Sequence, residues 1–347
     1  MKVILAGGGT GGHLYPGIAI AEKLRIAGIL SLFMVSDRGL EKKTLSRLGY
    51  QYVEQNVSAF SGVGVAMKML SLIRLVKALV SAIKYIGRGD KVLLLGGFAA
   101  APVALAGIIK GVDLYVHEQN SVMGLLNRMM SSRSRKVFLS YGDTKMAPAK
   151  GVFVGNPIRN ELMHGVIKEG SAKRILVLGG SGGSRIINIT VASVAEKLLR
   201  EGYFIHHQTG EKLLEETIKE YEKSVDLGES GLQIEAYITD MAQAYAAADI
   251  VVARSGSGAV FETMYAKRPA LFIPFARSSN NHQYSNALYM QKLGCAEILK
   301  EEEFTSERFI ERIFWMFSRI EEYQWNLSGV ETRDSAELII RGMELQI

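Results

Sequence analysis

The chain is poor in cysteine and proline and, over one long stretch, has no acid. A single cysteine, Cys295, in 347 residues excludes an internal disulfide and a cysteine-rich metal site, and suits a reducing compartment. Six prolines stand against 36 glycines, and the glycines sit at turns between apolar runs, which excludes a low-complexity linker. The strand pattern starts at once, at Val3, so no signal peptide is expected. Neither glycine-rich turn is followed by a Walker lysine, which disfavours an ordinary P-loop NTPase. No Asp-x-Asp motif occurs, so the sequence calls for no metal and implies no cofactor. Between Glu54 and Asp90 there is no acidic residue at all.

What is present is an α/β alternation with an internal echo. Val3–Ala6 runs into Gly7-Gly8-Gly9-Thr10-Gly11-Gly12-His13, and Ile175–Leu178 runs into Gly179-Gly180-Ser181-Gly182-Gly183. A helix-like segment follows each. Ala21-Glu22-Lys23-Leu24 with Gly28 is echoed by Ala195-Glu196-Lys197-Leu198 with Gly202. A strand that ends in glycines and opens a helix is a ready anion site, because backbone N–H groups point outward and no Cβ blocks the ligand. Strands are expected at 2–6, 31–35, 92–95, 113–116, 136–139 and 152–154, then at 174–178, 203–207, 232–235, 249–252, 270–273 and 296–299. This order argues for two doubly wound parallel sheets with helices on both faces. Gly155-Asn156-Pro157 is the expected hinge between domains 1–157 and 158–330, with the helix-like segment 331–347 packing back on the first.

Charge is divided unequally. Residues 1–157 hold 20 Lys/Arg against 8 Asp/Glu, a net of +12, whereas the remainder holds 21 against 27, a net of −6. The basic half should seek an anionic partner: nucleic acid, anionic lipid or a phosphorylated substrate. In the acid-free stretch, Val65, Met69, Leu72, Val76, Leu79, Ile83 and Ile86 repeat at helical spacing and read as a core-facing stripe. Met67, Leu70, Ile73, Leu75 and Val80 are then left over, with Lys68, Arg74, Lys77, Lys84 and Arg88 among them. Five cations argue against a span, since each costs roughly 2.5–3.5 kcal/mol at a bilayer centre. An apolar and basic helix over 63–88 instead suits a membrane surface.

Polar groups gather where strands should end. Gly96-Gly97-Phe98, His117-Glu118-Gln119-Asn120, Arg254-Ser255-Gly256-Ser257-Gly258 with Glu262, and Pro274-Phe275 with Asn280–Gln283 would share one rim in a doubly wound sheet, where ligands bind. Gly7-x-Gly9-x-x-Gly12 matches a dinucleotide fingerprint, and Asp37 could serve a nicotinamide enzyme, but that reading leaves the second glycine turn and Glu262 idle.

The combination of motifs resembles the MurG family of bacterial glycosyltransferases. It rests on Gly8–His13 with Pro16, His117–Asn120, Gly155–Arg159, Gly179–Gly183, Tyr237-Ile238-x-Asp240-Met241, Arg254–Gly256 with Glu262, and Pro274-Phe275 with His282-Gln283 and Asn286-Ala287. The resemblance implies a GT-B fold, two Rossmann-like domains facing across a cleft. It also implies inverting transfer of N-acetylglucosamine from UDP-GlcNAc to the 4-OH of the muramyl sugar of lipid I. By the same resemblance, Ile238 backbone would read the uracil, and Glu262 would bind the ribose hydroxyls. Ser181 and the loop Ser257, Gly258 and Ala259 would hold the diphosphate, with Arg159 also at the nucleotide, and Asn120 and Gln283 would reach the sugar hydroxyls. Thr10, Gly11, Gly12 and His13 would face the acceptor and the reacting sugar of UDP-GlcNAc. His13 is the first candidate for general base, since an imidazole titrates near neutral pH, and Glu118 is the second. The implied location is the cytoplasmic face of the bacterial cell membrane, held peripherally through 63–88, with no nucleic-acid partner. Two departures stand out. Gly97-Phe98-Ala99-Ala100 lacks the hydroxyl common in that turn, and Ala259 replaces a threonine found in some members.

Overall fold

The computed structural model describes residues 1–346 apart from Thr10, Arg38, 58–64, Glu169 and Ser181, and apart from the side chains of Leu40 and 65–68. Two of the expected site residues, Thr10 and Ser181, thus lie outside the described residues. The chain divides into two units: Met1–Arg159 with Arg333–Ile347, and Asn160–Thr332.

In the first unit, strands β1 (Val3–Gly7), β2 (Ser31–Ser36), β3 (Tyr52–Gln55), β4 (Lys91–Gly96), β5 (Asp113–Glu118), β6 (Lys136–Leu139) and β7 (Gly151–Phe153) form one parallel sheet, in the order β3-β2-β1-β4-β5-β6-β7. Helices α1 (Gly11–Ile26), α2 (Leu40–Arg47), α3 (Val65–Tyr85), α4 (Ala100–Lys110) and α5 (Leu125–Ser131) connect them. In the second unit, β8 (Arg174–Leu178), β9 (Phe204–Gln208), β10 (Leu232–Glu235), β11 (Ile250–Ala253), β12 (Ala270–Phe272) and β13 (Ala296–Ile298) form a second parallel sheet, in the order β10-β9-β8-β11-β12-β13. Its helices are α6 (Arg185–Arg200), α7 (Leu214–Tyr221), α8 (Met241–Ala247), α9 (Ser257–Tyr265), α10 (His282–Lys292), α11 (Ser306–Ser318) and α12 (Ile320–Ser328). In each sheet the strand order reverses beside the first strand. The rim outside the carboxyl ends of β1 and β4, and of β8 and β11, is therefore where a doubly wound sheet binds ligands.

The central strands β1, β4, β8 and β11 are almost wholly apolar and buried because both faces are covered. In β1, Val3 and Leu5 enter a core with α1, while Ile4 and Ala6 enter a second core with α3 and α4. The chain returns to the first unit as α13 (Ser335–Gly342). Ile339 and Ile340 join the α1 core, Asp334 caps the helix by accepting the Glu337 N–H at 3.0 Å, and Lys23 of α1 pairs with Asp334 at 2.5 Å. Phe138 packs so closely on Gly342 that a Cβ there would stand 2.5 Å from its ring.

The structure departs from the sequence expectations at two elements. The edge strand β3 was not expected. It is short, half-exposed and carries Glu54 and Gln55, so it lacks the apolar run that marks the buried strands. The stripe assigned to α3 is also rotated. Its inner face is made of small residues, Ser71, Ala78 and Ala82, with Ile86 below and Leu79 and Ile83 partly buried. Small side chains let α3 lie close against α4. Met69, Leu72 and Val76, expected in the core, are instead 65%, 55% and 51% exposed.

Candidate functional site

In the first unit, four strand ends meet on one rim. The β1–α1 turn is fixed from below by Glu41, a buried carboxylate in the first turn of α2. Its Oε1 accepts the Gly9 N–H at 2.5 Å and the Ser36 hydroxyl at 2.8 Å. A Cβ at Gly8 would stand 2.7 Å from Ser36 N, so this approach requires glycine. The carboxylate occupies a loop amide that a dinucleotide phosphate would need, and its charge repels a phosphate. This disfavours the nicotinamide reading of Gly7-x-Gly9-x-x-Gly12. Gly11 and Gly12 open α1. Pro16 has no N–H to give to the Gly12 carbonyl.

His13 lies in the first turn of α1, with its ring against the β4–α4 turn. A Cβ at Gly96 would stand 3.2 Å from His13 Nε2 and 3.4 Å from Asn127 Nδ2, and one at Gly97 would stand 3.4 Å from His13 Nδ1. Both glycines have positive φ, 99° and 79°, so residues with side chains are excluded twice over.

Glu118 ends β5 and is buried. Its Oε1 accepts from Asn120 N at 3.0 Å and Asn120 Nδ2 at 3.3 Å, and its Oε2 accepts from Gly124 N at 2.9 Å and Asn127 Nδ2 at 2.8 Å. Burial pushes its pKa up, and these donors pull it back. A carboxylate has about four acceptor positions, so this set fills it. The geometry is that of a group organising a turn, and Asn120 is held by it. One residue earlier, His117 is wholly buried. Its Nδ1 faces Gln119 Nε2 at 3.1 Å and its Nε2 faces the Ser140 hydroxyl at 3.1 Å, which in turn donates to Asn156 Oδ1 at 3.2 Å. Burial lowers the His117 pKa to about 3, so the ring is neutral at physiological pH. Arg159, the last residue before the second unit, lies over the Tyr15 ring at 5.1 Å and so belongs to the α1 side of this rim.

In the second unit, the β8–α6 turn packs on the β9 turn. A Cβ at Gly183 would stand 2.1 Å from Thr209 O. Asn188 of α6 ties this support down, giving its Nδ2 to Thr209 O at 2.9 Å and to Thr217 Oγ1 at 2.9 Å. Its Oδ1 then accepts from His207 Nε2 at 3.1 Å, which leaves His207 Nδ1 to accept from the Tyr221 hydroxyl at 2.8 Å. Ile238 is buried, and its N–H donates to Gln208 Oε1 at 3.0 Å, so Gln208 and the base edge expected there compete for one donor. Ser257, Gly258 and Ala259 form the first turn of α9, whose N-cap, Gly256, offers no side-chain cap. Helix N-terminal amides without such a cap suit an anion. Glu262 lies one turn further on, partly exposed and outside the first turn, so a helix-dipole role does not account for it. Gln283, in the first turn of α10, accepts the Phe275 N–H on its Oε1 at 2.9 Å.

The sequence reading missed Glu41, Asn127, Gln208 and Glu301. Glu41 and Glu301 each resemble a solvated helix-end acid, and only the fold brings them against a loop amide.

Away from these rims, α3 presents Met69, Leu72, Ile73, Val76 and Val80 to the outside, with Arg74, Lys77 and Lys84 running alongside. A cavity of about 390 Å³ lies between α3 and the end of β3, lined by Gln55, Asn56, Ile73, Arg74, Lys77 and Ser81 among others. Among the described residues no helix is long and apolar enough to cross a membrane.

Two family models cover most of the chain. The glycosyltransferase family 28 N-terminal domain matches residues 3–139 and the family 28 C-terminal domain matches residues 174–339. The chain belongs to glycosyltransferase family 28. Within the family, a protein of Syntrophus aciditrophicus (strain SB) is 37% identical over 324 residues, 90% of this chain and 89% of its own length. It is named UDP-N-acetylglucosamine--N-acetylmuramyl-(pentapeptide) pyrophosphoryl-undecaprenol N-acetylglucosamine transferase. A protein of the same name from Geobacter sp. (strain M21) is 33% identical over 99% of this chain and 95% of its own. The crystal structure of Acinetobacter baumannii MurG matches with a TM-score of 0.80 at 24% identity, over 99% of both chains. The two parallel sheets are therefore those of a GT-B family 28 enzyme.

Proposed function

We propose that this family 28 enzyme transfers N-acetylglucosamine from UDP-GlcNAc to the muramyl 4-OH of lipid I, making lipid II for peptidoglycan. What carries the reading is that relatives named for this reaction align over nearly the whole chain. In this reading the second unit binds the donor. The α9 N-terminus, Ser257-Gly258-Ala259, and the Gly179–Gly183 turn with Ser181 take the diphosphate. Glu262 takes the ribose hydroxyls, Ile238 the uracil, and Gln283 a sugar hydroxyl. The first unit takes the acceptor. Glu41 under the β1–α1 turn favours a hydroxylated ligand there over a phosphate.

The reaction is a single displacement with inversion. The acceptor 4-OH attacks the anomeric carbon, the bond to UDP breaks, and a base takes the hydroxyl proton. We assign that base to His13, whose ring lies on the rim against Gly96 and Gly97. Glu118 is given the supporting role, because its oxygens are filled by Asn120, Gly124 and Asn127. Charge on the leaving diphosphate falls on helix N-terminal amides, with Arg159 and Ser181 assisting. No metal is needed for this scheme.

The acceptor is lipid-linked, so the enzyme works at the cytoplasmic membrane surface. The exposed apolar row of α3, flanked by Arg74, Lys77 and Lys84, is the proposed contact with anionic lipid. Each basic residue near such a surface contributes about 1 kcal/mol. The donor site is tested by calorimetry with Glu262→Ala. UDP-GlcNAc affinity should fall about tenfold, the equivalent of one charge-assisted bond. Unchanged affinity in the folded variant would remove Glu262 from the site.

A further inference from the structure

Glu301 opens a run of three glutamates after β13, yet its side chain is only 19% exposed. Its Oε1 accepts from Arg254 Nη2 at 2.5 Å, and its Oε2 accepts the Ala276 N–H at 2.8 Å. Arg254 is 14% exposed, donates from Nη1 to Ile273 O at 3.1 Å, and lies over the Phe275 ring at 5.5 Å. Phe275 N–H in turn holds Gln283 Oε1 at 2.9 Å. The turn after β11, the segment after β12 and the start of α10 are thereby joined through one carboxylate.

This chain fixes a direction. A backbone N–H can only donate, so it must meet the oxygen of the Gln283 carboxamide. The amino group is the end left to a ligand, and it offers a donor. If Phe275 moved, the amide could turn and offer an acceptor instead. The Phe275 carbonyl accepts the Ser278 N–H at 3.0 Å, and on its other sides Phe275 is held by Arg254 beside its ring and by the Ala276 N–H next to it, both of which Glu301 holds.

We infer that Glu301 is a positioning residue for the donor sugar: through Arg254 and the Ala276 N–H it holds the Phe275 amide that orients Gln283, so that Gln283 presents its amino group to a hydroxyl of the transferred sugar. The inference rests on the donor-site reading above, in which Gln283 meets the sugar and Glu262 meets the nucleotide. Glu301 itself touches neither. Its removal should therefore weaken recognition of the sugar and spare that of UDP. A general loss of structure would weaken both.

The test compares UDP with UDP-GlcNAc by calorimetry on the full-length protein. Glu301→Ala should lose about tenfold in UDP-GlcNAc affinity while UDP stays within about twofold. Gln283→Glu, which offers an acceptor at the outer end, should show the same selective loss. Adding Glu301→Ala to it should cost no more, because the two changes interrupt one chain of contacts. Should Glu301→Ala fail to fold, Glu301→Gln serves, since it fills the same space with one acceptor oxygen fewer. Its UDP-GlcNAc to UDP affinity ratio should fall about threefold, an intermediate loss. Equal weakening of both ligands, or an unchanged ratio in the folded variants, would overturn the inference. Glu262→Ala separates this from failure of the underlying reading. It should weaken UDP as well as UDP-GlcNAc, and if it weakens neither, the donor-site reading fails and the role of Glu301 falls with it.

Discussion

The Gly9 N–H donates to the buried carboxylate of Glu41 at 2.5 Å, and this contact occupies one amide of the first glycine turn. A turn of this kind ordinarily offers its amides to a phosphate. Here one amide is already taken by an anion. Glu41→Gln keeps the shape but weakens a charge-assisted bond, typically worth roughly 1.5–3 kcal/mol. The kcat/KM for the acceptor should fall about tenfold or more, and UDP-GlcNAc affinity should stay unchanged. Tighter donor binding in this variant would instead place the donor diphosphate on this turn, since the substitution removes a repelling charge.

His13 and Glu118 separate by the pattern of their defects. His13→Ala should lower kcat by roughly 10²–10⁴ with little change in donor affinity, as removal of a general base does. Glu118→Gln turns an amide N–H₂ toward groups that are themselves donors. It should lower thermal stability and raise the KM for UDP-GlcNAc through Asn120, while the fall of kcat toward acid pH, which reports the base, persists. A variant that loses that pH dependence with its fold intact would make Glu118 the base.

The α3 surface is tested by sedimentation with anionic vesicles. Met69→Ser/Leu72→Ser/Val76→Ser should lose binding at all salt concentrations. Lys77→Glu/Lys84→Glu should lose it mainly at low salt, since surface charges are screened over about 10 Å at 0.1 M. Donor binding should survive in both. Wild-type sedimentation by both variants would move the membrane face elsewhere, the cluster Arg128, Arg133, Arg135 and Lys136 being the next to examine.

The helix α3 also shows where the sequence stops being legible. Apolar residues at helical spacing define a face, but spacing alone does not say which face is inside. Here Ser71, Ala78 and Ala82 win the interior because small residues permit close packing on α4, and the larger side chains turn outward. The strands were readable because burial on both faces leaves an unbroken apolar run, as in β1 and β8, and β3 was hidden because an edge strand needs none. The candidates His13, Glu118, Glu262 and Gln283 are legible as polar residues in segments that end or follow apolar strands, where a doubly wound sheet offers its rim. Glu41 and Glu301 are not, since each acts on a loop distant in sequence.

Acid should destabilise the second unit through His207. Its pKa is lowered to about 3 by burial, against about 6.5 when unfolded. The depressed value means the unfolded chain binds the extra proton first. The stability contributed is full above about pH 6.5 and is lost as pH falls toward 3, at about 1.4 kcal/mol per pH unit. Urea unfolding should show little change from this group between pH 7.5 and 6.5 and approach this slope below about pH 6, and His207→Gln should flatten it although it is less stable at pH 7.5. An unchanged slope would assign the acid sensitivity to other groups.

The central claim is tested most directly by following labelled N-acetylglucosamine from UDP-GlcNAc onto a lipid I analogue. The wild-type enzyme should form a β(1→4)-linked disaccharide product and release UDP, and His13→Ala should lose this by at least about 10². Release of UDP without transfer, or transfer to other acceptors with lipid I untouched, would contradict the account.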